Sequence, residues 1–512
     1  MPGFHPDPSL CRVGDDFYLA TSTFEWFPGV QIHHSRDLVH WRVVNRPLTR
    51  ISQVDLRGAG NSMGIWAPCL SYHDDTYYLV YTDVKTMIPG PMDCHNYVVT
   101  APAIDGPWSE PTYLHSLGFD PSLFHDRDGR HWLLAMTTEH RPGRAMFGGI
   151  VLQEYDPTAR KLIGAMTTIF RGRLGATEGP HLYWREGWYY LVVAEGGTGA
   201  GHAVNVARAR NLTGPYEADP AGLMLTSRFN PEHPLQCAGH GSFVQAQDGS
   251  WWCAHLCTRS NAGLPAAALL GRETALQPMH WSDDGWPRLN STTNLPLVEV
   301  TVPDLPPHPW PVEPACDDFD APHLGSAWQS LRVPITTDWA DLGTRPGWLR
   351  LRGRDSLRST FEQSLLARRL EHRSAVITTC LDADPDHPKR AAGLVFLYDV
   401  RTWSALQLRG DEAYGSELVL THCRNGVVRE ELAWAHPRQV FPRTWLRLEI
   451  GTTETRFLMS HDGEAWTNVG APFPAAEISS AGFTGPFVGL SCQDGVDRSW
   501  CAEFDFVTYE PS

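Results

Sequence analysis

The chain has 512 residues and more acidic than basic side chains, 58 Asp and Glu against 42 Lys and Arg, which gives a formal net charge of −16. This balance, with the basic residues scattered, argues against a nucleic-acid backbone or an anionic membrane surface as a partner. Hydrophobic residues make up 42% and charged residues 20%, which is typical of a globular protein and excludes a disordered one.

The sequence also predicts where the protein resides. No apolar run approaches the roughly 20 residues of a membrane-spanning helix. The opening residues 1–4 carry neither a basic nor an apolar leader segment, so no secretion signal is expected. The 11 cysteines are an odd number, which favours reduced thiols. Cys253 and Cys257 flank His255 at strand spacing and lack a second ligand pair, so a core position is favoured over a zinc site. We expect a cytoplasmic protein.

Short strands dominate the first 300 residues. Aromatic-rich apolar runs each follow a turn signal, which is the pattern of a β-hairpin. Five such pairs occur in chain order: Gly14–Asp16 before Phe17–Ala20, Asp74–Asp75 before Tyr77–Val80, Asp128–Gly129 before Trp132–Ala135, Glu186–Gly187 before Trp188–Val193, and Asp248–Gly249 before Trp251–Ala254.

A repeated quartet precedes these hairpins. Its second residue falls at positions 8, 68, 121, 180 and 241, so the spacing stays nearly constant. Five units of even period, each with short strands, predict a five-bladed β-propeller over residues 1–305. A β-sandwich would have no reason to repeat one quartet in this way. The quartets are Asp7–Leu10, Ala67–Leu70, Asp120–Leu123, Gly179–Leu182 and His240–Phe243.

The repeat predicts which side chains meet. The innermost strands of a propeller surround one axis, so equivalent positions in successive blades face one another. We therefore expect one funnel to collect residues at or beside the quartets, namely Asp7, Trp66, Asp120, Glu178 and His240.

A proline-rich segment ends the repeat. Residues 306–316 form a stiff linker in this interpretation, because prolines between Pro303 and Pro314 exclude regular structure. Alternating apolar and polar residues continue beyond it, for example in Leu349–Arg352 and Trp445–Ile450. The pattern predicts that residues 317–512 form a β-sandwich.

Three carboxylates at matching blade positions indicate chemistry. Like charges around a desolvated funnel repel, a cost that an enzyme needing an acid and a base together can use. Glycosidic cleavage needs such a set. The alternative is that each Asp-Pro-Ser is only a turn that caps a blade strand. Glu178 precedes Gly179, which allows a substrate to approach the backbone closely.

Several longer motifs resemble glycoside hydrolase family 43, in its β-xylosidase branch, over essentially the whole chain. The resemblance implies a five-bladed propeller followed by a concanavalin-like sandwich. It rests on Gly3–Ser9, Thr23–Val30, Thr177–Leu182, Gly271–Thr274 and Thr484–Leu490.

The resemblance implies an inverting exo-β-xylosidase that acts on short xylo-oligosaccharides. Asp7 would be the general base and Glu178 the general acid, while Asp120 would orient Glu178 and raise its pKa. α-L-Arabinofuranosidase activity is expected as a side reaction. The alternatives are an enzyme that is principally an arabinofuranosidase or cleaves arabinan, and a sugar-binding protein without catalysis.

The resemblance also implies a set of substrate-binding residues. Phe24 and Trp66 would line the sugar pocket, Arg272 would hold sugar hydroxyls, and His240 would lie at the pocket floor. A Phe of the sandwich domain would complete the wall, with Phe487 as the candidate and Phe483 as the alternative.

Purely structural roles remain open for three of these residues. Trp66 could be plain core, Arg272 could pair with Glu273, and His240 could be a core histidine or could lie beside a calcium ion. No cofactor is expected to be required. The family is often dimeric or tetrameric, so a homo-oligomer is an open expectation.

Overall fold

The described part of the chain folds into seven antiparallel sheets in a computed structural model that describes residues 1–87, 90–259, 268–413, 415–437, 443–479 and 482–512. Within those residues the helical content is one short 3-10 helix, Ala475–Ile478. Antiparallel sheets follow from the short alternating runs and frequent turn residues of the sequence. The all-β fold is confirmed.

Five of the sheets are the blades of the predicted propeller, each with its strands in antiparallel chain order. Blade 1 contains β1 (Ser9–Val13), β2 (Asp16–Thr21), β4 (Gln31–Ser35) and β5 (Arg42–Asn45). Blade 2 contains β6 (Gly64–His73), β7 (Thr76–Val84), β8 (Cys94–Ala101) and β9 (Thr112–His115). Blade 3 contains β10 (Ser122–His125), β11 (His131–Thr138), β12 (Phe147–Asp156) and β13 (Lys161–Phe170).

The last two blades follow the same plan. Blade 4 contains β14 (Glu178–Arg185), β15 (Trp188–Glu195), β16 (Ala203–Ala209) and β17 (Glu217–Ala218), with β18 (Leu225–Thr226) paired to β16. Blade 5 contains β19 (Leu235–Gln245), β20 (Trp251–Arg259), β21 (Glu273–Trp281) and β22 (Pro287–Leu289). The ring closes where the first residues of the chain meet blade 5, since the His5 N–H donates to the Arg272 carbonyl at 3.0 Å.

The first residue of every quartet has a left-handed backbone conformation. The φ angles are 57° at Asp7, 25° at Ala67, 54° at Asp120, 56° at Gly179 and 54° at His240. Residues other than Gly, Asn and Asp seldom adopt this backbone conformation, because their Cβ atom crowds the backbone. The bend thus recurs once in each blade, just before β1 and β10 and at an irregularity of the strand pairing within β6, β14 and β19.

The two remaining sheets have eight strands each and form the sandwich. The outer sheet contains β23 (Cys316–Asp317), β25 (Ala340–Asp341), β26 (Leu349–Arg352), β28 (Ala375–Asp382), β33 (Thr444–Ile450), β34 (Thr455–Ser460), β35 (Thr467–Phe473) and β37 (Cys501–Pro511). The inner sheet contains β3 (Trp26–Phe27), β24 (Gln329–Leu331), β27 (Ser364–Arg369), β29 (Arg390–Asp399), β30 (Thr402–Asp411), β31 (Gly415–Arg424), β32 (Val427–Pro437) and β36 (Phe487–Asp494).

A strand from the propeller segment joins the sandwich. Strand β3 pairs with β24, with Ser330 opposite Phe27 and Leu331 opposite Trp26. The Arg332 N–H also donates to the Glu25 carbonyl at 2.9 Å. Because backbone hydrogen bonds cross between the two domains, the sandwich is held in one orientation on the propeller.

The buried apolar residues of the sandwich form two clusters. One cluster fills the space between the two sandwich sheets and includes Leu349, Leu394, Leu448 and Phe457. A second cluster runs from the propeller into the sandwich and includes Phe4, Trp26, Leu365 and Phe487. Burial of such side chains stabilises the folded state by about 1.5–3 kcal/mol each. No helix of the described residues has the length and apolarity to cross a membrane.

Candidate active site

A cavity of about 260 Å³ opens on the propeller axis where the quartets meet. All five residues that the repeat predicts to converge line it, so the propeller geometry brings them together. They are joined by Phe24 and Arg272 from the longer motifs. The predicted residues in the lining are Asp7, Phe24, Trp66, Asp120, Glu178, His240 and Arg272.

Asp7 is buried and surrounded by groups that stabilise its ionised form. Ser22 Oγ donates to Asp7 Oδ2 at 2.7 Å, and Arg272 Nη1 lies 3.0 Å from Asp7 Oδ1. His240 Nδ1 lies 3.9 Å from the same oxygen. Burial by itself raises the pKa of Asp7, but Arg272, His240 and Ser22 together outweigh it and hold the pKa below its ordinary value.

Glu178 lies in the same cavity, but its pKa is shifted in the opposite direction from that of Asp7. Burial, followed by repulsion from Asp7, raises the pKa of Glu178 to about 8, although Arg272 opposes the shift. Its carboxyl therefore holds a proton at neutral pH. Two carboxyl groups in one cavity, one ionised and one protonated, have the states that an acid and a base need.

Asp120 is the third carboxyl of the cavity. Burial and repulsion from Glu178 and Asp7 raise the pKa of Asp120 well above its ordinary value. The Gly179 N–H donates to Asp120 Oδ2 at 3.0 Å and favours its ionised form. Since Glu178 and Gly179 share a peptide bond, this hydrogen bond ties Asp120 to the position of Glu178.

Gly179 is required at its place in the fourth quartet. A Cβ atom at this position would lie 2.9 Å from Cε1 of the His240 ring. A residue with a side chain would also have to adopt the left-handed φ of 56°. The missing side chain lets the backbone of blade 4 pack directly against His240. His240 is itself buried, and burial lowers its pKa, although Asp7 opposes the shift.

The cavity wall is aromatic and includes a residue from the sandwich. Phe483 lines the cavity, with its ring 5.5 Å from Trp66 and 6.2 Å from Phe24. Phe487 does not belong to the lining. It is 0% exposed and stacks on Trp26 at 3.5 Å, in the apolar layer between propeller and sandwich.

The expectation that Phe487 completes the pocket wall is therefore wrong, and the alternative, Phe483, takes that place. The physical reason is that Phe487 begins strand β36, where it packs on Trp26 of β3. Phe483 lies four residues earlier in the preceding turn, which reaches the cavity.

Two polar contacts hold this turn against the propeller. The Phe483 N–H donates to Ser62 Oγ at 3.1 Å, and Arg272 Nε donates to the Phe483 carbonyl at 2.9 Å. Ser62 also accepts, at its carbonyl, a hydrogen bond from Trp66 Nε1 at 2.9 Å. Ser62 thus holds both Phe483 and Trp66 in the wall of the cavity.

The family is decided by comparison with known proteins. Residues 1–287 match the model of Glycosyl hydrolases family 43, and residues 316–510 match the Beta xylosidase C-terminal Concanavalin A-like domain. The chain belongs to glycoside hydrolase family 43. It is accordingly a glycoside hydrolase, with a concanavalin-like domain after the propeller.

Relatives and a solved structure match over full length. The chain is 43% identical to a Beta-xylosidase of Bacillus subtilis, covering 100% of this chain and 98% of the relative. It is 43% identical to Xylosidase/arabinosidase 43B of Humicola insolens, covering 100% and 97%. The crystal structure of a xylan beta-1,4-xylosidase from Bacillus halodurans C-125 has a TM-score of 0.97 and 49% identity, covering 100% of this chain and 99% of that one.

Sequence reasoning missed part of the lining of this glycoside hydrolase. Ser62 lies behind the wall, and Phe119, Phe147 and three methionines contribute to the lining itself. Phe119 directly precedes a quartet, so the repeat contains a signal for it. The methionines are Met87, Met92 and Met146, and no motif marks them.

The sequence places a histidine between two cysteines, His255 between Cys253 and Cys257. Among the described residues, no group of three or more His, Cys, Asp and Glu side chains is placed to hold a metal ion. Cys253 and Cys257 are buried free thiols, in agreement with the core interpretation. His240 is enclosed by the Gly179 backbone and Asp7. A calcium ion near His240 stays a prediction of the sequence.

Proposed function

We propose that this glycoside hydrolase is an inverting, exo-acting β-xylosidase that releases xylose from the non-reducing end of short xylo-oligosaccharides, with α-L-arabinofuranosidase activity as a side reaction. The full-length similarity to a Beta-xylosidase and a Xylosidase/arabinosidase supports the sugar specificity. The observation that carries the mechanism is that Asp7, paired with Arg272, and Glu178 line one cavity, where their pKa values are shifted in opposite directions.

Asp7 is the general base in this proposal. Its ionised carboxylate takes a proton from a water molecule, whose oxygen attacks the anomeric carbon from the face opposite the leaving group. Arg272 keeps Asp7 ionised and places positive charge beside the sugar hydroxyls. Glu178 gives its proton to the glycosidic oxygen, so that the leaving group departs as a neutral alcohol.

Asp120 acts through Glu178. The hydrogen bond from the Gly179 N–H to Asp120 positions this carboxyl beside Glu178, and repulsion between the two buried carboxyls disfavours ionisation of both at once. Because the two carboxyls share one desolvated cavity, their proton belongs to the pair.

Exo action is inferred from the sandwich turn that borders the cavity. Phe483 covers one side, and Arg272 and Ser62 hold it there through hydrogen bonds to its backbone. A cavity closed by the sandwich accepts a terminal sugar and its leaving group, whereas an open groove would allow internal cleavage.

The stereochemistry tests the proposal. Proton NMR at early times should show the α-anomer of xylose as the first product from a β-xyloside, before mutarotation mixes the anomers. If the β-anomer appears first, Asp7 acts as a nucleophile and the inverting mechanism is wrong.

The assignment of acid and base has its own test. Glu178→Gln should slow xylobiose hydrolysis far more than hydrolysis of an aryl xyloside whose leaving group needs little protonation. Asp7→Asn should slow both substrates alike, because each needs an activated water. An equal loss on both substrates in Glu178→Gln would reject the acid role.

The second candidate is an enzyme that is principally an α-L-arabinofuranosidase, favoured by the similarity to Xylosidase/arabinosidase 43B. Parallel assays of an aryl β-xyloside, an aryl α-arabinofuranoside and xylobiose separate it from the first. We expect the highest kcat/KM on the β-xyloside. A higher value on the arabinofuranoside, with no turnover of xylobiose, would favour the second candidate.

The proposal requires no cofactor, because the described carboxyls and Arg272 supply the acid, the base and the charge. A calcium ion near His240, a homo-oligomeric state and a cytoplasmic location remain predictions of the sequence. Calcium removal with a chelator tests the first of these, and sedimentation tests the second.

A further inference from the structure

A cluster of polar side chains lies where the sandwich packs on the propeller. This junction cluster contains Gln31 of β4, Arg46 just after β5, Gln329 of β24 and Arg369 at the end of β27. None of the four residues lines the catalytic cavity. Arg369 is the strand partner of Phe487 in the inner sheet, whereas Gln31 belongs to blade 1. The cluster therefore connects the two domains at a place separate from the catalytic carboxyls.

Two guanidinium groups share one amide oxygen in the junction cluster. Arg46 donates to Gln31 Oε1 from Nε at 3.0 Å and from Nη2 at 2.6 Å. Arg369 Nη1 donates to the same oxygen and also to Gln329 Oε1. Two positive charges thus converge on side chains that carry no negative charge.

Carboxylates compensate these charges incompletely. Within the described part of the chain, no carboxylate oxygen lies within 4.0 Å of a guanidinium nitrogen of Arg46 or Arg369. Glu371 is 37% exposed, and its two oxygens lie 3.8 Å from His5 Nε2 and from Arg368 Nη2. Burial and repulsion from Arg46 lower the pKa of Arg369 well below its ordinary value, although Glu371 opposes the shift. A guanidinium nevertheless stays protonated in proteins, so an uncompensated charge is buried here.

Arg369 also has a pair of hydrogen-bond donors without an acceptor. The residue is 4% exposed, and its Nε and Nη2 atoms are buried with no hydrogen-bond partner among the described residues. These two N–H groups lie on one edge of the planar guanidinium and point in parallel, the arrangement that binds an anion bidentately. Buried donors of this kind are costly unless they are paired. The unpaired donors and the uncompensated charge both require a negative acceptor.

Neighbouring rings supply only part of this requirement. The rings of Phe4 and Phe487 lie 5.3 and 5.6 Å from Arg369 Cζ. A ring face attracts a cation, but this attraction offsets only part of the cost of burying an unpaired charge. A water molecule would accept the hydrogen bonds and bring no charge. A small monovalent anion supplies both the acceptor and the charge, and the enclosed position of the two donors favours a single atom over a larger oxyanion.

We propose that the edge of Arg369 formed by Nε and Nη2 binds a chloride ion. The ion accepts both hydrogen bonds, neutralises the junction cluster and stabilises the packing of the sandwich on the propeller. Its binding does not depend on which glycoside the enzyme cleaves.

Crystals grown in sodium bromide test the position of the ion. Bromide occupies chloride sites and gives an anomalous diffraction signal that water does not give. We expect an anomalous peak within hydrogen-bonding distance of both Arg369 Nε and Arg369 Nη2.

Thermal melting measures the contribution of the ion to stability. A ligand that binds only the folded state raises the melting temperature as its concentration increases. Gluconate is too large for the site, so it can replace chloride while the ionic strength stays constant. Raising chloride in this way from about 1 mM to about 100 mM should increase the melting temperature by about 2 °C or more.

A charged variant assigns the effect to this cluster. Gln329→Glu places a fixed negative charge where Gln329 Oε1 accepts from Arg369. The melting temperature at low chloride should therefore rise, and about half or more of the chloride dependence should be lost. Gln247→Glu, at an exposed glutamine between β19 and β20, is the matched control and should keep the full chloride dependence.

The outcomes separate the site from its role. Absence of a bromide peak beside Arg369 would overturn the site, and this result can be obtained even if Gln329→Glu does not fold. A bromide peak with a melting temperature that is independent of chloride would confirm the site and overturn its stabilising role. A chloride dependence that is equal in Gln329→Glu and the unmodified enzyme would assign the stabilisation to another place on the protein.

Discussion

Arg272 of the propeller donates a hydrogen bond from Nε to the carbonyl oxygen of Phe483 in the sandwich, at 2.9 Å. The same guanidinium places Nη1 3.0 Å from Asp7 Oδ1. One side chain therefore links the closing of the cavity wall to the ionisation of Asp7. The two domains share a catalytic site because this arginine has a partner in each.

Arg272→Gln should move the acidic limb of the pH profile. Arg272 lowers the pKa of Asp7, so its removal raises that pKa, and the ionised base forms only at higher pH. We expect the acidic limb of kcat/KM to shift upward by about one pH unit or more. Arg288→Gln, whose partner Asp219 lies outside the cavity lining, serves as the control. An unshifted limb in Arg272→Gln would show that another group governs Asp7.

The basic limb of the pH profile of kcat/KM should reflect the titration of Glu178. A general acid is lost as pH rises through its pKa, so kcat/KM should fall above about pH 8. Asp120→Asn removes the carboxyl that shares a proton with Glu178, so Glu178 can ionise without a second carboxylate charge beside it, and this limb should move downward by about one pH unit. A lower rate with an unmoved basic limb would mean that Asp120 only orients its neighbour.

Two phenylalanines four positions apart should respond differently to alanine. Phe487→Ala removes a fully buried ring that stacks on Trp26 and should cost about 3–5 kcal/mol of unfolding free energy. Phe483→Ala removes a cavity wall and should reduce kcat/KM on xylobiose several-fold with a smaller loss of melting temperature. Thermal melting and xylobiose kinetics of both variants check the contrast, and a reversed pattern would contradict the placement of the two rings.

Glu25 should make stability depend on pH. Burial raises the pKa of Glu25 to about 7 from an ordinary value of 4.5, although Arg332 and the Ser62 N–H oppose the shift. The folded state holds this proton more tightly, so its contribution to stability is complete below pH 4.5 and is lost as pH rises through about 7.

The isosteric variant Glu25→Gln carries no titrating group. Its melting temperature relative to the unmodified enzyme should therefore be higher at pH 8 than at pH 5. Glu186→Gln, at a position 70% exposed, is the control and should leave the difference unchanged. Parallel pH curves for Glu25→Gln and the unmodified enzyme would show that Glu25 stays ionised when buried.

The blades and the catalytic carboxyls could be predicted from the sequence because they depend on local features that repeat. Each quartet starts with a left-handed residue and leads into an inner strand, so its spacing alone places Asp7, Asp120 and His240 on one axis. Glu178 and Trp66 follow because each directly precedes a quartet. Alternation in β33 likewise predicts its buried face without knowledge of its neighbours.

The wall of the cavity depended on the tertiary structure. Phe483 and Phe487 lie in one Gly- and Pro-bounded segment, and the choice between them is made by Trp26, Ser62 and Arg272, which are distant in the chain. Met87, Met92 and Met146 likewise reach the lining from connections of two blades. Local sequence periodicity sets which strands form, whereas the choice of side chain that fills a shared cavity is set by packing between segments that the sequence does not place side by side.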